Sequence, residues 1–174
     1  YFSITHFITR FAKLALKIGK DTLKNELNKI GFNKGIEFPQ PMTSSKFSGG
    51  DTFESEVQLA DTGYGQGKVL TNPLHLAAIY TAFVNDGNMI KPYIEYKENT
   101  DNPEIYVKNA FSKEAADTIR EDLIQVIEDE GGTAHNVKMD GVTLAGKTGT
   151  AEIKASQEDE SGTEIRWFNA FVAD

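Results

Sequence analysis

The chain contains no cysteine among its 174 residues. This absence excludes disulfide bonds, a thiolate nucleophile and cysteine-ligated metal sites. The three histidines, His6, His75 and His135, lie far apart with no ligand spacing between them, so we expect no metal site and no cofactor. We expect His75, on an apolar helix, to be a packed or capping histidine.

Basic residues and long apolar runs are also scarce. The chain has 18 basic against 26 acidic residues and a formal net charge of −8 at pH 7. Such a surface repels phosphate backbones, which argues against nucleic-acid binding. No apolar run approaches the roughly 18 residues that a membrane-spanning helix needs, and no signal-peptide pattern opens the sequence.

Helical periodicity predicts four main helices. The first presents an apolar face and ends at Gly19, and the second is capped by Asp21. The third begins at Pro73 and the fourth is capped by Ser112. Residues 32–51 lack periodicity and predict a surface connection. The acidic residues 128–130 are expected to form a solvated helix end.

Two β-rich runs close the sequence. Residues 142–153 and 165–172 flank a polar acidic turn and predict an antiparallel hairpin. Helices followed by a hairpin predict an α+β fold in which helices pack on an antiparallel sheet. Because the sequence begins inside an apolar pattern and stops at the end of a strand, we expect residues 1–174 to be part of a single domain that is incomplete at both ends.

One dense motif, Gly-Lys-Thr-Gly at 146–149, permits two incompatible interpretations. Residues 141–148 satisfy the phosphate-loop pattern of Gly, four residues and Gly-Lys-Thr, which requires a helix that begins at the lysine. The four inner residues, however, favour a strand. On a strand, Lys147 and Thr148 can bind a carboxylate by charge and hydrogen bonds, and Gly149 leaves room for a peptide along the strand edge.

The wider sequence resembles class B penicillin-binding proteins, in particular the low-affinity, β-lactam-resistance type of Gram-positive bacteria. The stretches that carry the resemblance, in matching order and spacing, are 59–67, 71–77, 85–89, 146–152 and 167–168. It implies a β-lactamase/transpeptidase-like fold, and a phosphate loop at 141–148 remains the alternative.

The resemblance also implies roles for individual residues. Lys147 becomes the electrostatic lysine of the catalytic cleft, and Thr148 and Thr150 become ligands of the substrate carboxylate. The backbone N–H of Thr150 becomes an oxyanion donor, and Gly149 becomes the point of close substrate approach. Trp167 is expected to pack rather than to bind.

The function implied is that of a serine D-Ala-D-Ala transpeptidase, an acyltransferase that cross-links peptidoglycan stem peptides and binds β-lactams. The family implies a parent protein anchored by an N-terminal membrane helix and facing outward from the cell. A β-lactam-sensing domain or a catalytically silent binding module on the same fold is the alternative.

The sequence departs from the family pattern at two signatures. The family needs a nucleophilic serine with lysine three residues later, and no serine of this chain has one. The Ser-x-Asn signature would fall on residues 6–8, which do not match it. We therefore expect the nucleophile-bearing part and the final strands to be absent, and these 174 residues alone to be inactive.

Overall fold

The computed structural model describes residues 4–37, 41–93, 95, 103–153 and 162–173. The chain divides into two compact units, Tyr1–Ala78 with Pro92–Tyr96, and Ile79–Lys91 with Lys97–Asp174. Among the described residues no helix has both the length and the apolar character to cross a bilayer. The elements in chain order are α1 (Ile4–Ile18), α2 (Lys20–Lys29), α3 (Glu56–Gly63), α4 (Pro73–Thr81), β1 (Met89–Ile90), β2 (Ile105–Val107), α5 (Lys113–Glu128), β3 (Leu144–Ile153) and β4 (Thr163–Val172).

Helix α1 confirms the first predicted helix, but its apolar stripe is exposed in the described structure. The exposed apolar side chains are Phe7, Ile8, Phe11, Leu14, Leu16 and Ile18. The buried position is Ala15, which lies against α3. A Cβ built on Gly63 of α3 would lie 2.7 Å from the Ala15 Cβ and 2.6 Å from the Phe11 carbonyl oxygen. The small residues at these two positions therefore let the helices approach closely.

Helix α2 confirms the second predicted helix and corrects its predicted cap. The N-cap is Gly19, with φ of 85°, and no side chain caps the helix. Asp21 lies instead within the first turn, where its charge still complements the helix dipole. The positive φ explains the correction, because glycine enters that conformation without the steric penalty that a side chain brings.

Residues 32–51, of which 38–40 lie outside the described part of the chain, are partly buried and not only the predicted surface connection. Their buried side chains are Phe32, Ser45, Phe47 and Ser48. The Phe47 ring lies 5.0 Å from the ring of Phe53, and Lys46 forms an isolated antiparallel bridge with Leu70. The absence of helical or strand periodicity correctly predicts irregular backbone, but it does not report burial.

Helix α3 was not predicted. Its N-cap Ser55 accepts a hydrogen bond from the backbone N–H of Gln58, and only Gln58 and Leu59 are buried on it. A short helix with one buried apolar residue has no periodic stripe, and the serine cap is the remaining local signal.

His75 joins three segments of the first unit. Its Nε2 lies 2.8 Å from the carbonyl oxygen of Ile30, and its Nδ1 lies 2.7 Å from the Ser45 hydroxyl. Because a carbonyl oxygen can only accept, Nε2 carries the proton and the Ser45 hydroxyl donates to Nδ1. Ser45 Oγ in turn accepts from the backbone N–H of Asn72. The histidine therefore ties the end of α2, the 43–46 segment and the start of α4, as a packed histidine.

The second unit places α5 against the long hairpin. Ser112 caps α5 as predicted, accepting a hydrogen bond from the Ala115 N–H. Strands β3 and β4 pair antiparallel without a break from Leu144 opposite Val172 to Ile153 opposite Thr163. The turn between them lies outside the described residues. A core cluster is formed by three elements: the 3₁₀ helix Ala82–Val84 that follows α4, helix α5 and strand β3. Its buried members are Phe83, Ala116, Leu123 and Ala145. The predicted arrangement of helices on an antiparallel sheet is confirmed.

Replacing Gly63 by alanine should destabilise the first unit. The added methyl group would collide with the α1 backbone at Phe11 and with Ala15, and such overpacking costs about 1–3 kcal/mol. Urea unfolding followed by far-UV circular dichroism should report the loss. Gly50→Ala is the matched control, because a Cβ there meets nothing within 4 Å. Equal stability of the two variants would contradict the close α1–α3 contact.

Stability should fall on acidification because of His75. Burial lowers the pKa of His75 below its ordinary 6.5, against a smaller raising effect of the Ile30 carbonyl. As the pH falls below about 6.5, His75 binds a proton in the unfolded chain more readily than in the folded chain. The free energy of unfolding is therefore highest above that pH and decreases as the pH approaches the lower pKa of the folded state. The slope should reach at most about 1.4 kcal/mol per pH unit.

The measurement is urea unfolding between pH 7.5 and 5.5 in the wild type and in His75→Gln, which removes the titrating ring. The variant should be less stable at pH 7.5 and should show the smaller pH dependence. Identical slopes in the two proteins would show that His75 does not titrate between the folded and unfolded states.

Candidate functional site on strand β3

The Gly-Lys-Thr-Gly motif lies inside a strand. Residues 146–149 belong to β3, where Lys147 pairs with Asn169, Thr148 with Phe168 and Gly149 with Trp167. A phosphate loop requires a helix that begins at the lysine. The strand therefore excludes the phosphate-loop alternative for 141–148.

Lys147 presents its ammonium group at an exposed position. Its Nζ donates to the carbonyl oxygen of Thr148 at 2.6 Å, and within the described part of the chain no carboxylate forms an ion pair with it. A lysine held by one neutral carbonyl keeps two N–H donors and its full charge for an incoming anion.

Strand β3 has one edge paired with β4. In the described ranges the sheet contains these two strands only, so no described strand pairs with the other edge of β3. Lys147, Gly149 and Thr150 are exposed on this strand.

Two glycines of the motif differ in their surroundings. A Cβ built on Gly146 would lie 2.9 Å from the Asn169 carbonyl oxygen and 3.0 Å from Ile127 Cδ1. Among the described residues, a Cβ on Gly149 would meet only Trp167 Cβ, at an ordinary 3.5 Å. Gly146 is thus required by packing against α5, whereas packing against the described residues does not require glycine at 149. Trp167 is half-buried at this contact, consistent with a packing role.

Thr148 contacts a residue outside the strand. Thr148 is half-buried, and its Oγ1 lies 3.2 Å from Oγ1 of Thr133, in the segment that follows α5. Side chains two apart on a strand share a side, so Thr148 lies on the same side of β3 as Gly146, which contacts Ile127. The C-terminal end of α5 therefore supports the motif from that side.

The segment 129–138 folds back over the end of α5. The last carbonyls of a helix lack intrahelical partners, and here the backbone N–H groups of Asp129 and Ala134 bind the carbonyls of Gln125 and Val126. The His135 ring binds the next carbonyl, that of Ile127, at 3.0 Å. A Cβ on Gly132 would lie 2.3 Å from the Val126 oxygen, so only glycine permits this close return.

The prediction that the acidic residues 128–130 form a solvated helix end is partly wrong. Glu128 is half-buried, and its carboxylate lies 2.8 Å from Lys138 Nζ. The hydrogen bond from Lys138, with a further one from the Leu144 N–H, holds the pKa of Glu128 below its ordinary value, and the same pair raises the pKa of Lys138. Glu128 therefore pairs with Lys138 of the fold-back, which explains an acidic residue at the unfavourable end of a helix dipole.

The sequence prediction correctly placed Lys147, Thr148, Gly149 and Thr150 on one strand, while their roles stay a prediction. It missed Thr133 and the Glu128–Lys138 pair, because both contacts depend on the fold-back after α5. The Gly131-Gly132 pair was the available signal, since it marks where the chain can turn close to the helix. Within the described ranges no cluster of three or more His, Asp or Glu side chains could hold a metal ion.

Comparison with known proteins gives consistent matches. Residues 8–174 match the family model described as the penicillin binding protein transpeptidase domain. Penicillin-binding protein 3 of Bacillus subtilis is 42% identical over 158 residues, which cover 91% of this chain and 23% of that protein. A Pseudomonas aeruginosa protein named "Probable peptidoglycan D,D-transpeptidase PbpC" is 30% identical over 145 residues, 83% of this chain and 24% of that protein.

A solved structure matches the fold. PBPA from Mycobacterium tuberculosis superposes with a TM-score of 0.73 at 23% identity and covers 95% of this chain and 37% of its own. A ceftriaxone acyl-enzyme complex of that protein matches equally well. The chain thus spans about a quarter of the length of these curated relatives and about a third of the solved chain.

Proposed function

Because the chain belongs to the penicillin-binding protein transpeptidase family, we propose that it is part of a peptidoglycan D,D-transpeptidase and supplies the strand that binds the substrate. The observation that carries the proposal is the 147–150 segment of β3, in which Lys147, Gly149 and Thr150 are exposed and Thr148 is half-buried, on a strand whose other edge no described strand occupies. A relative named as a D,D-transpeptidase supports the reaction class. The acyl-enzyme of PBPA with ceftriaxone supports β-lactams as ligands.

The substrate is a stem peptide that ends in D-Ala-D-Ala and carries a free carboxylate. In this proposal the ammonium of Lys147 leaves the Thr148 carbonyl and binds that carboxylate, and the hydroxyls of Thr148 and Thr150 donate to it. A charge-assisted hydrogen bond of this kind is about twice as strong as a neutral one. A β-lactam carries an equivalent carboxylate and is held in the same way.

The backbone of Thr150 is proposed to face the reacting carbonyl. In an antiparallel strand the N–H and C=O of one residue point to the same edge, and this direction repeats every second residue. The Thr148 carbonyl and the Thr150 N–H therefore point to the same edge of β3. The Lys147 side chain reaches that carbonyl. A backbone donor there can stabilise the developing oxyanion.

The acyl transfer also needs an activated serine, which these 174 residues do not supply as a Ser-x-x-Lys pair. In the proposed reaction its Oγ bonds to the penultimate D-Ala carbonyl carbon, and the bond to the last D-Ala breaks. That D-Ala leaves with the proton on its amine. An amine of a neighbouring stem then attacks the ester and releases the serine.

Stem peptides lie outside the cytoplasmic membrane, so we place the protein on its extracytoplasmic face, held by an N-terminal anchor.

The proposal predicts that the complete protein forms a covalent adduct with fluorescent penicillin, visible on a denaturing gel and by intact mass. Lys147→Ala should slow the labelling by about 10- to 100-fold, because a charged hydrogen bond to the carboxylate is lost. Lys108→Ala removes another exposed lysine of the second unit and should label like the wild type.

Two results would contradict this proposal in different ways. A folded complete protein that takes no label would favour a catalytically silent binding module. Normal labelling of the Lys147→Ala variant would leave the enzyme class intact and remove the carboxylate-binding role of Lys147.

The two glycines should separate function from packing. Gly149→Ala should keep the wild-type melting temperature, since its methyl group meets only an ordinary contact, but should slow acylation because the methyl group occupies the path of the substrate. Gly146→Ala should lower stability by about 1–3 kcal/mol through its contacts with Asn169 and Ile127. Thermal unfolding and labelling rate, measured on both variants, check this. Full-rate labelling of Gly149→Ala would argue against close approach at that residue.

A further inference from the structure

The contact between Thr133 and Thr148 assigns a task to a residue outside the motif. We infer that Thr133 is a positioning residue that donates its hydroxyl proton to Thr148 Oγ1, so that the single proton of Thr148 points to the substrate carboxylate. This inference rests on the proposed function of β3. Its geometric basis is the 3.2 Å separation of the two Oγ1 atoms.

The hydroxyl group of Thr148 can point its one proton in only one direction at a time. A threonine has one O–H donor and two acceptor lone pairs. Without Thr133, the Thr148 hydroxyl is free to rotate among water and nearby carbonyls. A second hydroxyl that donates to Thr148 Oγ1 fills one acceptor direction and leaves the O–H for another acceptor. A chain of two hydroxyls that ends on a carboxylate is also mutually polarised, which strengthens each hydrogen bond.

The position of Thr133 is set by the fold-back after α5. Gly132, immediately before it, sits against the Val126 carbonyl where a Cβ would lie at 2.3 Å. Ala134, immediately after it, donates its N–H to the same carbonyl at 3.0 Å. Thr133 is thus held between two backbone contacts to one residue of α5, while its own side chain is exposed and adds little to the core.

A structural role alone does not require this hydroxyl. The fold-back is tied by backbone hydrogen bonds, by the His135 ring and by the Glu128–Lys138 pair. None of these contacts uses the Thr133 side chain. Its hydrogen bond within the described structure is to Thr148, one of the proposed carboxylate ligands.

The test uses the complete protein and the second-order rate constant of acylation by benzylpenicillin and by its methyl ester, each measured in competition with fluorescent penicillin. Thr133→Val keeps the shape and removes the hydroxyl. It should slow acylation by benzylpenicillin about 2- to 10-fold, the effect of one hydrogen bond. It should slow the ester less, because the uncharged ester oxygen accepts a weaker hydrogen bond from Thr148 than a carboxylate does. Thr133→Ser should restore the rate.

Two further variants isolate the pair. Thr148→Val should slow acylation by benzylpenicillin. The double variant Thr133→Val/Thr148→Val should be no slower than Thr148→Val alone, since both substitutions break the same chain of hydrogen bonds from Thr133 through Thr148 to the carboxylate. Thr163→Val makes the same chemical change at an exposed position of β4 and should behave like the wild type.

The possible failures are distinguishable. A wild-type protein that takes no label overturns the proposed function and this inference with it. A labelled wild type with an equally fast Thr133→Val variant overturns the relay alone. Equal slowing of Thr133→Val with penicillin and with its ester also overturns it, because that result reports a displaced β3 and not a reoriented proton.

Discussion

The C-terminal end of α5 is the constraint on which the candidate site depends. The last carbonyl groups of a helix have no intrahelical donors. Here the chain turns back at two glycines, and the segment 129–138 supplies those donors. The same segment brings Lys138 to Glu128 and Thr133 to Thr148. The segment that supplies hydrogen-bond donors to the end of α5 therefore also supports strand β3.

The motif on β3 divides between a packing half and a chemical half. Gly146 and Ala145 are buried where α5 approaches, and no larger residue fits at 146. Lys147, Gly149 and Thr150, which follow them, are exposed. Thr148 is half-buried, and its hydroxyl contacts Thr133 of the supporting segment. The start of the motif is thus fixed by close packing, while three of the next four residues are exposed to a ligand.

The elements predictable from sequence are those with strong local signals. The Ser112 cap, the Asn72-Pro73 start and the paired β-rich runs depend on residues a few positions apart, and α5, α4 and the hairpin follow from them. Helix α3 has no apolar stripe, so periodicity could not detect it. Burial of Phe47 in an irregular segment, and the contact of Thr133 with Thr148, arise only when distant parts of the chain meet.

The Ser45–His75 pair shows why geometry alone does not identify chemistry. A serine hydroxyl bound to a histidine that a third group orients is the arrangement of an activated nucleophile. In this chain, however, Ser45 is 1% exposed and His75 is 2% exposed, so no substrate reaches the hydroxyl. Ser45 Oγ also accepts from the Asn72 N–H, and the ring donates to a helix-end carbonyl. Each polar atom of the pair has a structural partner, and removing one would leave the others buried and unsatisfied. Strand β3 differs, because the exposed ammonium of Lys147 is held there, among the described residues, by one neutral carbonyl and keeps donors for a ligand.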